Sequence, residues 1–246
     1  MTKKNLLRWL AISAVTGIVL VFGILLNAAP APLRLLVVTG GHDYPTSFYT
    51  IFDDPGELLW DHATSNHDAL RSDLREKYDV LVLYDMSTEL NDAEKKNLVD
   101  FLESGKGMVV LHHAILDYPG WEWWWREVVG GKYLTKPEQG MPASTYQHDQ
   151  TIEVVPVAKH PILAGIKPMR LVDETYKGMW VSPQVTVLLK TDNPTSDPAV
   201  AWVSPYQKSR VVYIQLGHGE PAHRDAAYRK LVHNAVRWAG GRLAAP

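Results

Sequence analysis

Three apolar runs in the first half of the chain are continuous, without polar alternation: LRLLVVT at 33–39, DVLVLYD at 79–85 and GMVVLHH at 107–113. Strands read this way when both of their faces are buried. Between the second and third runs, NDAEKKNLVDFLESG offers Asn91 as a cap, apolar Leu98, Val99, Phe101 and Leu102, and Gly105 as a stop, which predicts a crossover helix. Strand, helix and strand in that order predict a doubly wound α/β fold around a mostly parallel sheet with right-handed connections. Further on, β-rich segments at 144–155, 185–190, 199–203 and 210–216 alternate with Pro and Gly turns and are expected to extend the sheet. A final helix is expected over 222–239, with Ala226, Leu231, Val232, Ala235, Val236 and Trp238 on one face.

Ahead of this pattern, Lys3, Lys4 and Arg8 precede the uncharged run WLAISAVTGIVLVFGILL at 9–26. As a helix it would measure about 27 Å, close to the thickness of a bilayer core. The basic flank predicts a cytoplasmic N-terminus, and everything after Asn27 then lies on the far side of the membrane. A cleaved signal peptide is the rival reading, but a cut after Ala29-Pro30-Ala31 would put Pro32 immediately behind the bond. The expected organisation is a signal-anchor helix at 1–27, a linker at 28–32 and an extracytoplasmic α/β domain at 33–246.

Composition narrows the function. Of 246 residues, 46% are hydrophobic and 21% charged, enough for a sizeable core and incompatible with disorder. The formal net charge of −2 provides no basic field for nucleic acid. With no cysteine, disulfides, thiolate ligands and cysteine nucleophiles are all excluded.

In parallel sheets ligands bind beyond the carboxyl ends of the strands. There the sequence places Gly40, Gly41, His42 and Asp43 after the first run, Asp85 at the end of the second, and His112 and His113 at the end of the third. Strand alternation predicts that only one of the adjacent histidines faces the pocket, and His113 is assigned that position. Tyr146 with His148, the acids Asp173 and Glu174 with Tyr176, and His218 after VVYIQLG are expected at the same rim. Such groups suit metal-free acid and base steps, or they could ligate a divalent metal such as Zn²⁺ gathered from distant strands, since no HExxH spacing is present. The cluster Trp121, Trp123, Trp124 and Trp125 reads as a sugar-stacking platform, as core packing or as a lipid-interface patch. His160 before Pro161 reads as a turn residue, and His62, His67, His223 and His233 as surface or packing residues.

Taken in order, VVTGGHDY (37–44), YDVLVLYD (78–85), GMVVLHHA (107–114), VGGKY ending at Tyr133, YQHD (146–149), HPILAGI (160–166), DETY (173–176), AWVSPYQKSRVVYIQLGH (201–218) and RWAGG (237–241) resemble the ThuA-like (trehalose utilisation) family. The resemblance spans nearly all of 33–241. It implies a class I glutamine-amidotransferase-like, flavodoxin-related fold and a role in carbohydrate metabolism, on a disaccharide or a 3-keto sugar, beside a sugar oxidoreductase partner. In true amidotransferases the turn after the third strand carries a cysteine nucleophile, whereas here it reads Leu111, His112, His113, so that route is closed. The expected chemistry runs through His42, His113, His148, Glu174 and His218. Substrate contacts are expected from Asp43, Asp85, His112, Tyr146, Asp173, Tyr176 and Trp121. The alternative is a non-catalytic, membrane-tethered sugar-binding or scaffold module.

Overall fold

The computed structural model describes residues 31–53, 56–87 and 89–243. The apolar run at 9–26 lies outside the described residues, and among those described no helix is long and apolar enough to cross a membrane.

The chain forms β1 (Leu33–Gly40), β2 (Leu58–Ala63), α1 (Asn66–Leu70), β3 (Val80–Asp85), α2 (Asp92–Glu103), β4 (Gly107–Leu111), β5 (Gly131–Lys132), β6 (Thr145–Pro156), β7 (Met169–Lys177), β8 (Trp180–Val181), β9 (Thr186–Lys190), β10 (Ala199–Val203), β11 (Val211–Ile214), α3 (Glu220–Arg224) and α4 (Ala226–Ala239). Nine strands make one sheet in the order β2-β1-β3-β4-β11-β10-β9-β6-β7, and β5 pairs with β8 in a separate ribbon. The strands from β2 to β11 are mutually parallel, and β10, β9, β6 and β7 add on antiparallel. Counted in chain order, the parallel strands lie 2-1-3-4-5, the order of flavodoxin-like sheets.

All residues of β3, β4 and β11 are buried, as their unbroken apolar runs predict. Alternate side chains serve two cores. Leu81, Leu83, Met108 and Val110 meet Leu98, Phe101 and Leu102 of α2 on one face, while Val80, Val82, Val109 and Leu111 meet Leu231, Val232, Ala235 and Val236 of α4 on the other. Helix α2 starts where Asn91 Oδ1 accepts from Glu94 N at 3.0 Å and Glu94 Oε2 accepts from Asn91 N at 2.9 Å, a reciprocal cap worth about 1 kcal/mol.

The structure corrects the sequence reading at three places. The third strand stops at Leu111, two residues early. The last helix is broken at Asp225, whose side chain caps α4 by accepting from Ala227 N and Tyr228 N, leaving the short α3 before it. The edge strand β2 was not expected, because only Leu58 and Ala63 of its LLWDHA are buried and the stretch shows neither a continuous nor an alternating pattern.

Candidate functional site

Beyond the carboxyl end of β4, His112 takes a left-handed backbone (φ 49°), unusual for a residue with a side chain and costing about 1 kcal/mol or more. A tight 3₁₀ turn over His112–Leu116 follows. This ends the strand alternation, so the two imidazoles lie side by side with ring centroids 4.2 Å apart. Even so, only His113 lines the cavity, while His112 is fully buried behind it. The buried His112 donates from Nδ1 to the Gln215 carbonyl at 2.6 Å, which fixes its tautomer. Its Nε2 then points at Tyr176 Oη (3.0 Å), His218 Nδ1 (3.0 Å) and Glu174 Oε2 (3.1 Å). Burial, with His113 adjacent, pushes the His112 ring down to about 3, so it is neutral near pH 7.

Glu174 comes from β7, and His148 from its partner β6. The pairs Gln147–Thr175 and Gln150–Asp173 leave His148 and Asp149 opposing the single residue Glu174, with Asp149 at φ 54°: a β-bulge. The bulge aims His148 inward, and its Nδ1 lies 3.1 Å from Glu174 Oε1. The other oxygen, Oε2, is 3.5 Å from both His113 Nε2 and His218 Nδ1, yet it makes no aligned hydrogen bond. Burial alone would raise the Glu174 carboxyl; the imidazoles of His112 and His113 against it, with the neighbouring His218, outweigh burial and hold the group well below the usual carboxylate range.

His218 is set by its neighbours. Asp173 accepts from Gly217 N (2.7 Å), His218 N (2.9 Å) and Glu174 N (2.9 Å), bracing β7 against the turn after β11. Gly217 has φ 116°, and a Cβ there would lie 2.1 Å from Tyr228 Oη, so only glycine fits. Tyr84 Oη donates to the Gly217 carbonyl at 2.8 Å, and the buried His223 reaches the same oxygen at 2.9 Å. Asp173, raised to about 6 by burial against these three N–H bonds, is a positioning residue where a substrate contact was expected.

The cluster opens on a cavity of about 520 Å³ whose walls include His113, Tyr133, Tyr146, His148, Glu174 and Tyr176. A groove of about 600 Å³ around Trp180 and Tyr206 contains none of the clustered histidines. Other expected site residues sit elsewhere. His42 turns its ring nitrogens to the Asp43 and Tyr84 carbonyls (2.9 and 3.2 Å) and packs on His113 with ring centroids 4.3 Å apart, behind the cavity. Asp43 is exposed on the turn. Asp85 lies buried against Asn66 and Asp117, off the rim where it was expected, because the strand end carries it under the loop that follows. Trp121 is no wall of the cavity: it packs among Tyr118, Trp123 and Trp124, since the helical turn at Trp124–Val129 directs the tryptophan cluster toward the core. His160 accepts from Ile162 N, a local turn contact. The sequence reading did not single out Gln215, Tyr133 or Ser144, and it treated His223 as surface or packing. The only signal for Gln215 was a polar residue within the apolar run VVYIQLG.

Among curated proteins, none matches the chain. Among solved structures it is similar to a ThuA-like protein from Parabacteroides merdae (TM-score 0.75, 16% identity, covering 88% of this chain and 93% of that one). A second ThuA-like protein, from Bacteroides uniformis, gives a TM-score of 0.67 at 20% identity over 87% and 94% of the two chains. A β-galactosidase from Rahnella sp. R3 shares the fold over 85% of this chain and 31% of its own (TM-score 0.54, 12% identity). These identities establish shared fold alone. The profile of the family ThuA, trehalose utilisation, matches residues 34–239, and the chain belongs to that family.

Proposed function

We propose that this protein processes carbohydrate, acting on a disaccharide or a 3-keto sugar through histidine and carboxylate chemistry. The observation that carries the reading is the convergence of His112, His113, His148 and His218 on one buried carboxylate, Glu174, at the wall of the cavity. A volume of about 520 Å³ falls in the range of small-molecule sites, and the exposed Tyr146 on its wall supplies an aromatic face suited to a pyranose ring. Glu174, held ionised, is the base, and the more accessible His148 and His218 are the groups able to exchange protons with solvent and return one to a leaving oxygen. A 3-keto sugar suits this set because its carbonyl acidifies the neighbouring C–H, and a sugar oxidoreductase would supply it.

The family resemblance supports a class I glutamine-amidotransferase-like origin in which the left-handed residue after β4 is now His112 in place of a cysteine. The basic and apolar N-terminal run supports a membrane anchor with the domain on the extracytoplasmic side. The test is turnover of trehalose and of 3-keto disaccharides by the full chain and by Glu174→Gln and His148→Ala. The reading expects turnover to fall at least 10²-fold in both. If neither sugar is turned over while a sugar still binds, the protein is the tethered sugar-binding module instead.

A further inference from the structure

The geometry points to a binding site for one divalent transition-metal ion of the zinc class, held by His112 Nε2, His113 Nε2, His218 Nδ1 and Glu174 Oε2. These four atoms all lie within 4.8 Å of one another. The separations are 3.0 Å for His112 to His218, 3.1 Å for Glu174 to His112, and 3.5 Å for Glu174 to both His113 and His218. Nitrogen and oxygen atoms bound to one ion at about 2.0–2.1 Å in a tetrahedron lie about 3.3 Å apart, so the spacing is that of a first coordination sphere drawn slightly open.

The polarity of the cluster argues the same way. His112 bonds the Gln215 carbonyl through Nδ1, so Nε2 turns a lone pair toward the cluster, where the carboxylate oxygens of Glu174 are acceptors as well. Two acceptors 3.1 Å apart in a buried setting need a proton or a cation between them. The donors within reach, Tyr176 Oη and His218 Nδ1, are both directed at His112 Nε2 at 3.0 Å. Glu174 Oε2 is left without an aligned hydrogen bond, although three ring nitrogens surround it. The bond from Nδ1 to a backbone carbonyl is also the support that ligating histidines commonly have, and Asp173 braces both His218 and Glu174 from behind. With imidazole and carboxylate donors and no thiolate, the site suits Zn²⁺, Co²⁺, Fe²⁺ or Mn²⁺. His113 and Glu174 both line the cavity, so a further coordination position faces it, where a sugar carbonyl or hydroxyl would bind. Only that last step rests on the proposed function; the metal assignment stands on the geometry alone.

The test uses the untagged full chain, stripped with chelator, dialysed, and titrated with Zn²⁺ and Co²⁺, with metal content, the visible spectrum of bound Co²⁺ and thermal unfolding as readouts. One equivalent per chain is expected, with a spectrum of low-symmetry nitrogen and oxygen coordination and a rise in melting temperature. Glu174→Gln and His218→Ala are each expected to weaken binding at least 10-fold. Failure of the wild-type chain to bind stoichiometrically, or equal binding by both variants, overturns the assignment; if a variant does not fold, the wild-type titration and Co²⁺ spectrum decide it. Stoichiometric metal without sugar turnover would overturn the sugar reading alone. Full turnover by the stripped chain would show that the metal plays no part in the reaction.

Discussion

Two buried carboxyl groups on strands of the same sheet have opposite fates. Glu174 within β7 faces four imidazoles and is held ionised. Asp85 at the end of β3 faces Asp117 and the Asn66 amide, and burial pushes it up to about 7, with Asp117 raised further by burial and by Asp85 itself. A buried carboxyl stays an anion or keeps its proton according to the charge and donors its neighbours offer, and its place on a strand does not decide which.

Breaking the first cluster should have the largest effect. Glu174→Gln keeps the side-chain volume but removes the charge on which the histidines converge. Turnover is expected to fall 10²–10⁴-fold while the melting temperature changes little by comparison, as steady-state kinetics and calorimetry would show. A variant with near-normal turnover would mean that Glu174 is a second structural acid, like Asp85.

Asp85→Asn probes the other side, with a stability readout. The folded group titrates near 7 against an ordinary value of 3.8, so between these pH values the folded state holds a proton that the unfolded chain has released. Stability is therefore lost as pH rises through this window, and the loss is complete above about 7. The neutral amide escapes this loss and can donate to Asp117. The variant is expected to be more stable than the parent by on the order of 2–4 kcal/mol at pH 8, with the difference vanishing near pH 4. Denaturant unfolding at both pH values would check it. A variant equally stable at both would mean that the carboxyl pair carries no shared proton.

A smaller effect is expected from Asp173→Asn. The amide can accept from some of the three N–H groups but cannot hold them as an anion does, so His218 and Glu174 shift slightly while every group facing the cavity remains. A 10–100-fold loss in kcat with little change in KM is expected, the mark of a positioning residue. A rise in KM alone would return Asp173 to the substrate.

Much of the scaffold was legible because burial on both faces leaves an unmistakable trace. β1, β3 and β4 are continuous apolar runs, and α2 is bracketed by Asn91 and Gly105. β2 was not, since an edge strand with one covered face and mixed polarity carries no periodic signal. At the site, polar residues at strand ends were visible, and the fold brings His113, His148, Glu174 and His218 together. Their relative importance was hidden where it depends on backbone detail: the left-handed turn at His112 and the bulge at His148 both break strand alternation, which no hydrophobic pattern records. Asp85 and Trp121 had the same residue types as a site but were turned into the core, and only the packing of β3 and the Trp124–Val129 turn reveals it.

A third acid sharpens the contrast at the low end. Glu94, buried at the start of α2, accepts from Asn91 N and from a single imidazole, His67, at 2.8 Å, and these contacts lower it despite burial. His67 is exposed, so solvent screens the pair and its worth is that of a surface ion pair. His67→Ala is accordingly expected to cost only a few tenths of a kcal/mol at neutral pH. Because the folded carboxyl is lowered, its contribution is present above the ordinary value of 4.5 and is lost as pH falls through the lower folded value, so the small difference between variant and parent should disappear in strong acid. Urea titrations at pH 7 and pH 3 would measure it. A cost of several kcal/mol would mean that one solvent-exposed imidazole suffices to hold a buried carboxylate ionised, and the crowding of four rings around Glu174 would then need a reason other than charge.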